Sequence, residues 1–201
     1  KGGESIESFK YCFLTSCILT RVHPKAYEKA LKIRTIEICP IDYAMTRNNL
    51  GDSYRAFAEV RDKEKYLNKA IEAYEEALKI RDIAKYPIDY ATTQNNLGNA
   101  YRTLAEVEDK EEYHNKAIEA YEEALKIYTM KRYPVNYAII QNNLGNGYRS
   151  LAEVKDKEEN LNKAIEAYEE ALKIFNYDEF PVYNQPVISN LEKVKKLLSK
   201  S

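Results

Sequence analysis

Three short stretches of the sequence bring amide and guanidinium side chains together at a fixed spacing. They read RNNLGD at 47–52, QNNLGN at 94–99 and QNNLGN at 141–146, and each is followed three residues later by an arginine. An Asn amide offers both donors and an acceptor, which suits the backbone of an extended peptide whatever its side chains. Arginine adds a planar fork of donors that fits a carboxylate or a phosphate. These residue types suit non-covalent binding of a peptide backbone and of a carboxylate or phosphate, provided that the fold places them together on one surface.

Residues that could support catalysis also occur, but their pattern favours structural roles. Paired glutamates at 75–76 and 122–123 recur on the polar side of a helical pattern, which is typical of a solvated face rather than of general acid–base catalysis. His114 takes the place of Leu67 and Leu161 in the sister segments, so we interpret it as a half-buried substitute for leucine rather than as a metal ligand or a catalytic base. No glycine-rich phosphate loop, GxSxG or HExxH motif occurs in the sequence. We predict no enzymatic activity, no catalytic residue, no metal site and no cofactor.

The composition describes a chain without a strong global charge. Its 201 residues are 44% hydrophobic. They include 31 Lys and Arg and 32 Asp and Glu, which gives a net charge of -1. No global positive field would draw nucleic acid or an anionic membrane surface. The apolar run at 11–22 is too short to span a bilayer. Cys12, Cys17 and Cys39 are odd in number and lack CxxC spacing, so we expect free thiols in a reducing cytoplasm.

The amide-rich stretches belong to a tandem repeat with a period of 47 residues. Leu50, Leu97 and Leu144 have this spacing, and so do the prolines at 40, 87, 134 and 181. The period defines a degenerate unit at 1–39, full repeats at 40–86, 87–133 and 134–180, and a capping helix at 181–201. We predict one domain, because neighbouring repeats in such an array share a core.

Each repeat is predicted to contain two helices. The first opens at the proline, whose missing N–H needs no partner at a helix start, and Leu97, Tyr101 and Leu104 share its apolar face. The second, represented by KAIEAYEEALKI at 116–127, places alanines and Tyr121 on one side and glutamates largely on the other. Small alanines allow the two helices to approach closely, so the repeat is predicted to be a tight helix pair.

The second helix of each repeat has a predicted N-cap. Asp109 and Asp156 are each followed three residues later by glutamate, which is the spacing of a capping box. Asp62 is followed by Lys65 instead, so only half of the box is present in the first full repeat.

The recurring residues resemble those of the tetratricopeptide repeat. Its motif places Leu and Gly together, Tyr three residues on, and then Ala, an aromatic residue and Ala in the second helix. The matching residues are Leu50, Gly51, Tyr54, Ala70, Tyr74 and Ala77; Leu97, Gly98, Tyr101, Ala117, Tyr121 and Ala124; and Leu144, Gly145, Tyr148, Ala164, Tyr168 and Ala171. The resemblance implies an all-α fold, a right-handed α–α superhelix of antiparallel helix pairs. The long NNLG units are similar to those of kinesin light chains and of prokaryotic arrays joined to caspase-like protease or nucleotide-binding regulatory domains.

In the resembled fold the first helix of every unit lines a concave groove, which would here be paved with asparagine and arginine. At 3.6 residues per turn, Asn95, Asn99 and Arg102 point nearly opposite the packed face, and Asn96 lies beside it. The family's peptide-binding asparagines correspond to the residue before Leu and the residue after Gly. The predicted rows are Asn48, Asn95 and Asn142; Asn49, Asn96 and Asn143; Asp52, Asn99 and Asn146; and Arg55, Arg102 and Arg149.

The main prediction is a non-catalytic scaffold that binds a protein or peptide partner, and three alternatives stay open beside it. The row with Asn96 is also placed to bond to the neighbouring repeat as an internal ladder without any ligand. The array is also suited to self-association through the apolar segment that contains Phe13, Leu14, Ile18 and Leu19. As a fragment, the chain would equally suit the sensing or regulatory part of a larger prokaryotic effector, whose catalytic domain would lie elsewhere.

Overall fold

The computed structural model describes residues 23–108, 111–176 and 178–199, and eight α-helices make up most of these ranges. In chain order they are α1 (Pro24–Ala30), α2 (Pro40–Ala58), α3 (Lys63–Leu78), α4 (Pro87–Glu108), α5 (Glu111–Leu125), α6 (Pro134–Leu151), α7 (Lys157–Leu172) and α8 (Pro181–Leu198). These ranges contain no β-strand, which confirms the all-α prediction. The apolar segment with Phe13 and Leu14, and the predicted cap at Asp109, lie outside the described residues.

Proline opens the first helix of every repeat. Helices α2, α4, α6 and α8 begin at the four prolines that the 47-residue period predicts. A proline in the first turn forfeits no hydrogen bond, because an N–H at that position has no carbonyl partner within the helix. The residues before α2, α6 and α8 provide no side-chain cap bond. Proline is therefore the main local signal that starts these three helices.

The helices form two compact units, Lys1–Ile80 and Arg81–Ser201. In the first unit, α2 packs along α3, and α1 contacts α2. In the second unit, α4 pairs with α5 and α6 pairs with α7, while α5 contacts α6 and α8 packs on α7. Within the second unit each helix pair thus stacks on its neighbour, as in a helical repeat array. The prediction of a single domain stays a prediction.

Tyrosine and alanine fill the space between paired helices. Tyr74, Tyr121 and Tyr168 are fully buried at equivalent positions of α3, α5 and α7. The motif alanines around them are also fully buried, namely Ala70, Ala77, Ala117, Ala124, Ala164 and Ala171. Each tyrosine ring lies against the motif glycine of the first helix, where a Cβ on Gly98 would stand 2.7 Å from Cε1 of Tyr121. The glycine therefore makes room for the ring.

The second glutamate of each pair connects the two helices of its own repeat. It accepts a hydrogen bond from a tyrosine hydroxyl near the start of the first helix and also pairs with a lysine three residues further on. The tyrosine bonds are Tyr43 to Glu76 at 3.0 Å, Tyr90 to Glu123 at 2.7 Å and Tyr137 to Glu170 at 2.9 Å, and the lysines are Lys79, Lys126 and Lys173. The lysine contact is the largest cause that lowers the pKa of each of these glutamates. This glutamate is therefore engaged in the fold and is not a purely solvated residue.

The first glutamate of the pair connects successive repeats. The Tyr148 hydroxyl of α6 donates to Glu122 of α5 at 3.2 Å. Lys195 of α8 occupies the same repeat position as Tyr148 and pairs with Glu169 of α7 at 2.9 Å. The capping helix thus keeps the inter-repeat contact although its tyrosine is replaced by lysine.

The capping-box prediction at Asp156 is wrong, whereas the half box at Asp62 does cap its helix. Asp62 Oδ1 accepts a hydrogen bond from the Lys65 backbone N–H at 3.2 Å. Asp156 has a left-handed backbone with a φ of 40°, and its side chain makes no cap bond. We attribute the difference to Asn160, which replaces a tyrosine of the other repeats and whose buried amide donates to the Lys155 carbonyl at 2.8 Å. This bond fixes the position of Lys155, the residue immediately before Asp156.

The two aspartates are expected to respond differently to substitution. Asp62→Ala should lower the free energy of unfolding by about 1 kcal/mol, because a backbone N–H of α3 loses its acceptor. Asp156→Gly should raise the free energy of unfolding by about 0.5 kcal/mol. Glycine has no Cβ and so avoids the steric cost of the left-handed backbone, and this gain exceeds the entropy that glycine loses on folding. Urea denaturation measures both changes. A loss for Asp156→Gly as large as that for Asp62→Ala would contradict the assignment.

Candidate functional site

The predicted site residues lie on the first helices of the repeats. In the second unit they are Asn95, Asn96, Asn99 and Arg102 on α4, and Asn142, Asn143, Asn146 and Arg149 on α6, and all of these side chains are half-buried. Because α4 contacts α6 and α6 contacts α8, residues of neighbouring repeats adjoin within this unit. The first unit carries the corresponding set on α2, namely Asn48, Asn49, Asp52 and Arg55. There the Asn48 side chain is buried and donates to Asp52 at 3.3 Å.

The residue after the motif glycine accepts a hydrogen bond from the buried tyrosine of the second helix. The three bonds run from Tyr74 to Asp52 at 2.7 Å, from Tyr121 to Asn99 at 2.9 Å and from Tyr168 to Asn146 at 2.9 Å. The helical wheel placed Asn99 nearly opposite the packed face, but its Oδ1 atom is engaged by the partner helix. A ligand at Asn99 would therefore meet chiefly the amide N–H groups.

Asparagine side chains also connect neighbouring repeats within the second unit. The two bonds run from Asn143 Nδ2 to Asn95 Oδ1 at 3.0 Å and from Asn190 Nδ2 to Asn146 Oδ1 at 3.4 Å. They join α4 to α6 and α6 to α8. These are bonds between neighbouring repeats, of the kind that the ladder alternative describes. Not every amide atom of these rows is hydrogen-bonded, because Asn142 Oδ1 is buried without a hydrogen-bond partner in the described part of the chain.

The two arginines of the second unit differ in their pairing. Arg102 Nη1 donates to Glu106 Oε1 at 2.7 Å. Arg149 has Glu153 at the same spacing but forms no ion pair with any described residue, and its Nε atom is buried without a hydrogen-bond partner among them. Burial raises the pKa of Tyr168 to about 12, and the positive charges of Arg149 and Arg102 both oppose this rise. Both guanidinium groups therefore lie within electrostatic range of the Tyr168 hydroxyl.

The raised pKa of Tyr168 predicts a loss of stability at alkaline pH. Its ordinary pKa is 10.0, so the unfolded chain releases the phenolic proton first, and stability that is complete below pH 10 is lost as the pH rises to about 12. A difference of two pKa units corresponds to about 2.7 kcal/mol. Melting temperatures between about pH 9 and 12 measure the effect. Tyr168→Phe should flatten the pH dependence, and an unchanged slope would refute the contribution of Tyr168.

A cavity that the sequence analysis missed lies between α6 and α8. Its volume is about 440 Å³, and it is lined by Arg149, Glu153, Lys193, Lys196 and Leu197. Lys193 and Lys196 stand at the repeat positions of Asn146 and Arg149, so α8 continues these two rows with lysine. The sequence could have indicated these two lysines, because the 47-residue period aligns EKVKKLLSK with the end of the first helix of each repeat.

The described residues outside these rows include a buried histidine but no metal site. His114 is 4% exposed in α5, and Leu67 and Leu161 are buried at the equivalent positions. It therefore substitutes for a core leucine and is more deeply buried than the half-buried position predicted for it. Within the described ranges, no three His, Cys, Asp or Glu side chains are grouped as metal ligands would be. None of the described helices combines the length and the apolar character needed to cross a lipid bilayer.

Comparison with known proteins identifies the repeat. A family model described as tetratricopeptide repeat matches residues 44–83 and 91–127, and a second model with the same description matches residues 147–177. The search of curated proteins gave no match to the chain. The more specific resemblance to kinesin light chains stays a prediction. Tetratricopeptide repeats are generally protein–protein interaction modules, and their families are typically non-catalytic scaffolds. With matches over more than half of its length and stacked helix pairs, the chain belongs to the tetratricopeptide repeat family.

Proposed function

We propose that the second unit holds a peptide segment of a partner protein across α4, α6 and α8 and catalyses no reaction. The observation that carries this proposal is Arg149, whose Nε atom is buried without a partner among the described residues and whose side chain lines the cavity beside α8. A buried donor without an acceptor is costly, and the more exposed part of the Arg149 guanidinium, which forms no ion pair with a described residue, would bind an acidic group of a ligand. The asparagine amides would bond to the peptide backbone.

The hydrogen bonds of the asparagines support this role, because they hold the side chains in place before a ligand arrives. Asn99 is fixed by Tyr121, Asn146 by Tyr168, and Asn143 by its bond to Asn95. Groups that are already ordered lose little conformational entropy on association, so more of the contact energy appears as affinity. In the first unit the set around Asp52 carries a negative charge, which would locally disfavour an anionic ligand.

A pull-down from native lysate tests the proposal with three proteins. The parent is compared with the triple variant Arg102→Ala, Arg149→Ala and Asn142→Ala, because among the described residues these side chains form no hydrogen bond to another helix. The matched control removes two positive charges elsewhere in the second unit, through Lys131→Ala and Lys157→Ala, both at exposed positions. All three proteins should melt alike.

We expect the parent and the control to capture the same partner and the triple variant to lose it. Cross-linking should then place the contact on α4 and α6, and a synthetic peptide of the cross-linked segment should bind the triple variant at least about tenfold more weakly, which corresponds to 1.4 kcal/mol. If all three proteins capture the same set, or none captures any, the asparagine and arginine rows are structural.

Self-association is a second candidate function, favoured by an exposed apolar set in the first unit. Ile33 and Ile38 are each 75% exposed, and Ile41 is 58% exposed at the start of α2. Exposed apolar side chains that are close in sequence can form part of an interface. Sedimentation of the chain over a range of concentrations tests this candidate, and a mass that stays constant argues against it. A sensor role in a larger effector stays a prediction.

A further inference from the structure

A cavity in the first unit lies between α1, α2 and α3. Its volume is about 410 Å³, which is within the usual range of small-molecule pockets. Leu31, Leu50 and Ala73 form the apolar part of its wall. The polar part comes from all three helices and consists of Glu28, Lys32, Arg47, Tyr54, Lys69 and Glu72. The cavity therefore combines a small apolar surface with charges of both signs.

Arg47 distinguishes this cavity from the equivalent places in the sister repeats. Gln94 and Gln141 stand at the equivalent positions, and the general motif of the repeat has tryptophan there. The Arg47 Cζ atom lies 5.1 Å from the centre of the Tyr43 ring, and its Nε atom donates to the Tyr43 hydroxyl at 3.0 Å. The guanidinium forms no ion pair with any described residue. One neighbour thus holds Arg47 in place, and its remaining N–H groups can bind a ligand.

Lys32 lacks the ion pair that its equivalents form. Each equivalent lysine pairs with the glutamate three residues before it, and these lysines are Lys79, Lys126 and Lys173. The residue three positions before Lys32 is Lys29, which has the same charge. Among the described residues Lys32 forms no ion pair. A carboxylate of a ligand would therefore meet cations from both α1 and α2 that no acidic side chain neutralises.

Two glutamates supply the opposite charge. Glu28 of α1 accepts a hydrogen bond from the Tyr54 hydroxyl, whereas Glu72 of α3 forms no ion pair within the described ranges. Burial raises the pKa of Tyr54, both carboxylates raise it further, and Arg47 opposes the rise. These charges of opposite sign therefore lie within electrostatic range of one hydroxyl. With Lys69 at 5.2 Å from the centre of the Tyr54 ring, the wall holds three cations and two carboxylates.

From this arrangement we propose that the first-unit cavity binds a free α-amino acid with a large apolar side chain. The α-carboxylate would pair with Arg47 and the α-ammonium with Glu72, while the side chain would lie against Leu31. A peptide carries these two charges at opposite ends, whereas an amino acid carries them on one carbon, as neighbouring wall charges of opposite sign require. The inference goes beyond the proposed function, because it concerns a small molecule and the other unit of the chain.

The balance of charge in the wall excludes ligands of a single charge. A ligand with only a carboxylate would be repelled by the two glutamates, and a ligand with only an ammonium would be repelled by the three cations. A zwitterion pairs with both kinds of group. The cavity is also much larger than glycine or alanine, so a large side chain fills it better.

Titration of the full chain, monitored by 1H–15N NMR, tests the site with matched probes. L-Phenylalanine carries both charges, 3-phenylpropanoate lacks the ammonium, and 2-phenylethylamine lacks the carboxylate. We expect the parent to bind L-phenylalanine at least about tenfold more tightly than either analogue, with shifts in α1, α2 and α3. Arg47→Gln should weaken L-phenylalanine binding by about tenfold. This variant introduces the residue of the sister repeats, so it should keep the fold.

A second variant tests the ammonium contact. Glu72→Gln should remove most of the preference for L-phenylalanine over 3-phenylpropanoate. The matched controls are Arg61→Gln and Glu119→Gln, which make the same exchanges at exposed positions outside the cavity. Glu119 occupies the position of Glu72 in the next repeat. Both controls should bind the three probes as the parent does.

Several outcomes would overturn the amino-acid site. They are no shifts with either L-phenylalanine or L-leucine, shifts only outside α1, α2 and α3, equal binding of L-phenylalanine and either analogue by the parent, and equal effects of Arg47→Gln and Arg61→Gln. None of these results decides the proposed function, because the pull-down variant carries its substitutions on α4 and α6 of the second unit. A partner lost by that variant but retained by Arg47→Gln would leave the two sites independent.

Discussion

Gly98→Ala is expected to lower the free energy of unfolding by about 2 to 3 kcal/mol, near the upper end of overpacking penalties. The new Cβ would lie 2.7 Å from Cε1 and 2.8 Å from Cδ1 of the Tyr121 ring, and 3.1 Å from the Ala117 backbone oxygen. Tyr121 is fully buried, and its hydroxyl is bonded to Asn99. Because neither this ring nor a helix backbone withdraws easily, α4 and α5 must separate to admit the methyl group.

Gly147→Ala is the matched control for this prediction. A Cβ at Gly147 would meet Ile118 Cγ1 at 3.4 Å and the Tyr121 ring at 3.8 Å, which are ordinary contacts. Ala100 already occupies the equivalent position of the preceding repeat and is fully buried. Since alanine is favoured over glycine within a helix by about 1 kcal/mol, we expect Gly147→Ala to raise the free energy of unfolding by about 0.5 to 1 kcal/mol.

Urea denaturation of the two variants gives changes of opposite sign if the glycine–tyrosine contact controls helix pairing. Two chemically identical substitutions in one unit should then differ by about 3 kcal/mol. A neutral Gly98→Ala would mean that the Tyr121 ring shifts freely, and the motif glycine would then have no packing role.

Local sequence signals predicted the repeat fold well. Proline marks a helix start by its own backbone chemistry, and the Leu-Gly, Tyr and Ala spacings place a buried ring against a glycine, as seen for Gly98 and Tyr121. The cap at Asp156 was mispredicted because its backbone depends on the loop bond between Asn160 and Lys155. The capping-box pattern does not include that contact.

Contacts between helices were harder to predict from the sequence. The wheel treats α4 as having one packed face, but α4 contacts both α5 and α6, so Asn95 and Asn99 lie beside a second helix as well. The glutamate pairs were interpreted as a solvated face because their partners lie on other helices. The sequence does contain a signal for this contact, because a tyrosine and a glutamate stand 33 residues apart in all three repeats, as Tyr90 and Glu123 do.

Asn99→Ala is expected to lower the free energy of unfolding by about 1 to 3 kcal/mol, because the buried Tyr121 hydroxyl loses the acceptor that lies 2.9 Å away. Asn99→Asp is the matched control, since Asp52 accepts the equivalent bond from Tyr74 at 2.7 Å in the first unit. It should keep the stability within about 0.5 kcal/mol of the parent, as is usual for substitutions that break no such contact. Thermal and urea unfolding measure both variants.

A second substitution separates the role of Asn99 in the fold from its role toward a ligand. Tyr121→Phe removes the hydroxyl, so adding Asn99→Ala to it should cost much less than Asn99→Ala alone, because replacing both partners of a hydrogen bond is nearly neutral. An equal cost in both backgrounds would show that the Asn99 contribution does not pass through Tyr121. If the coupling is found and Asn99→Asp still loses the partner in the pull-down, then one amide serves both purposes, with its oxygen in the fold and its N–H groups toward the peptide.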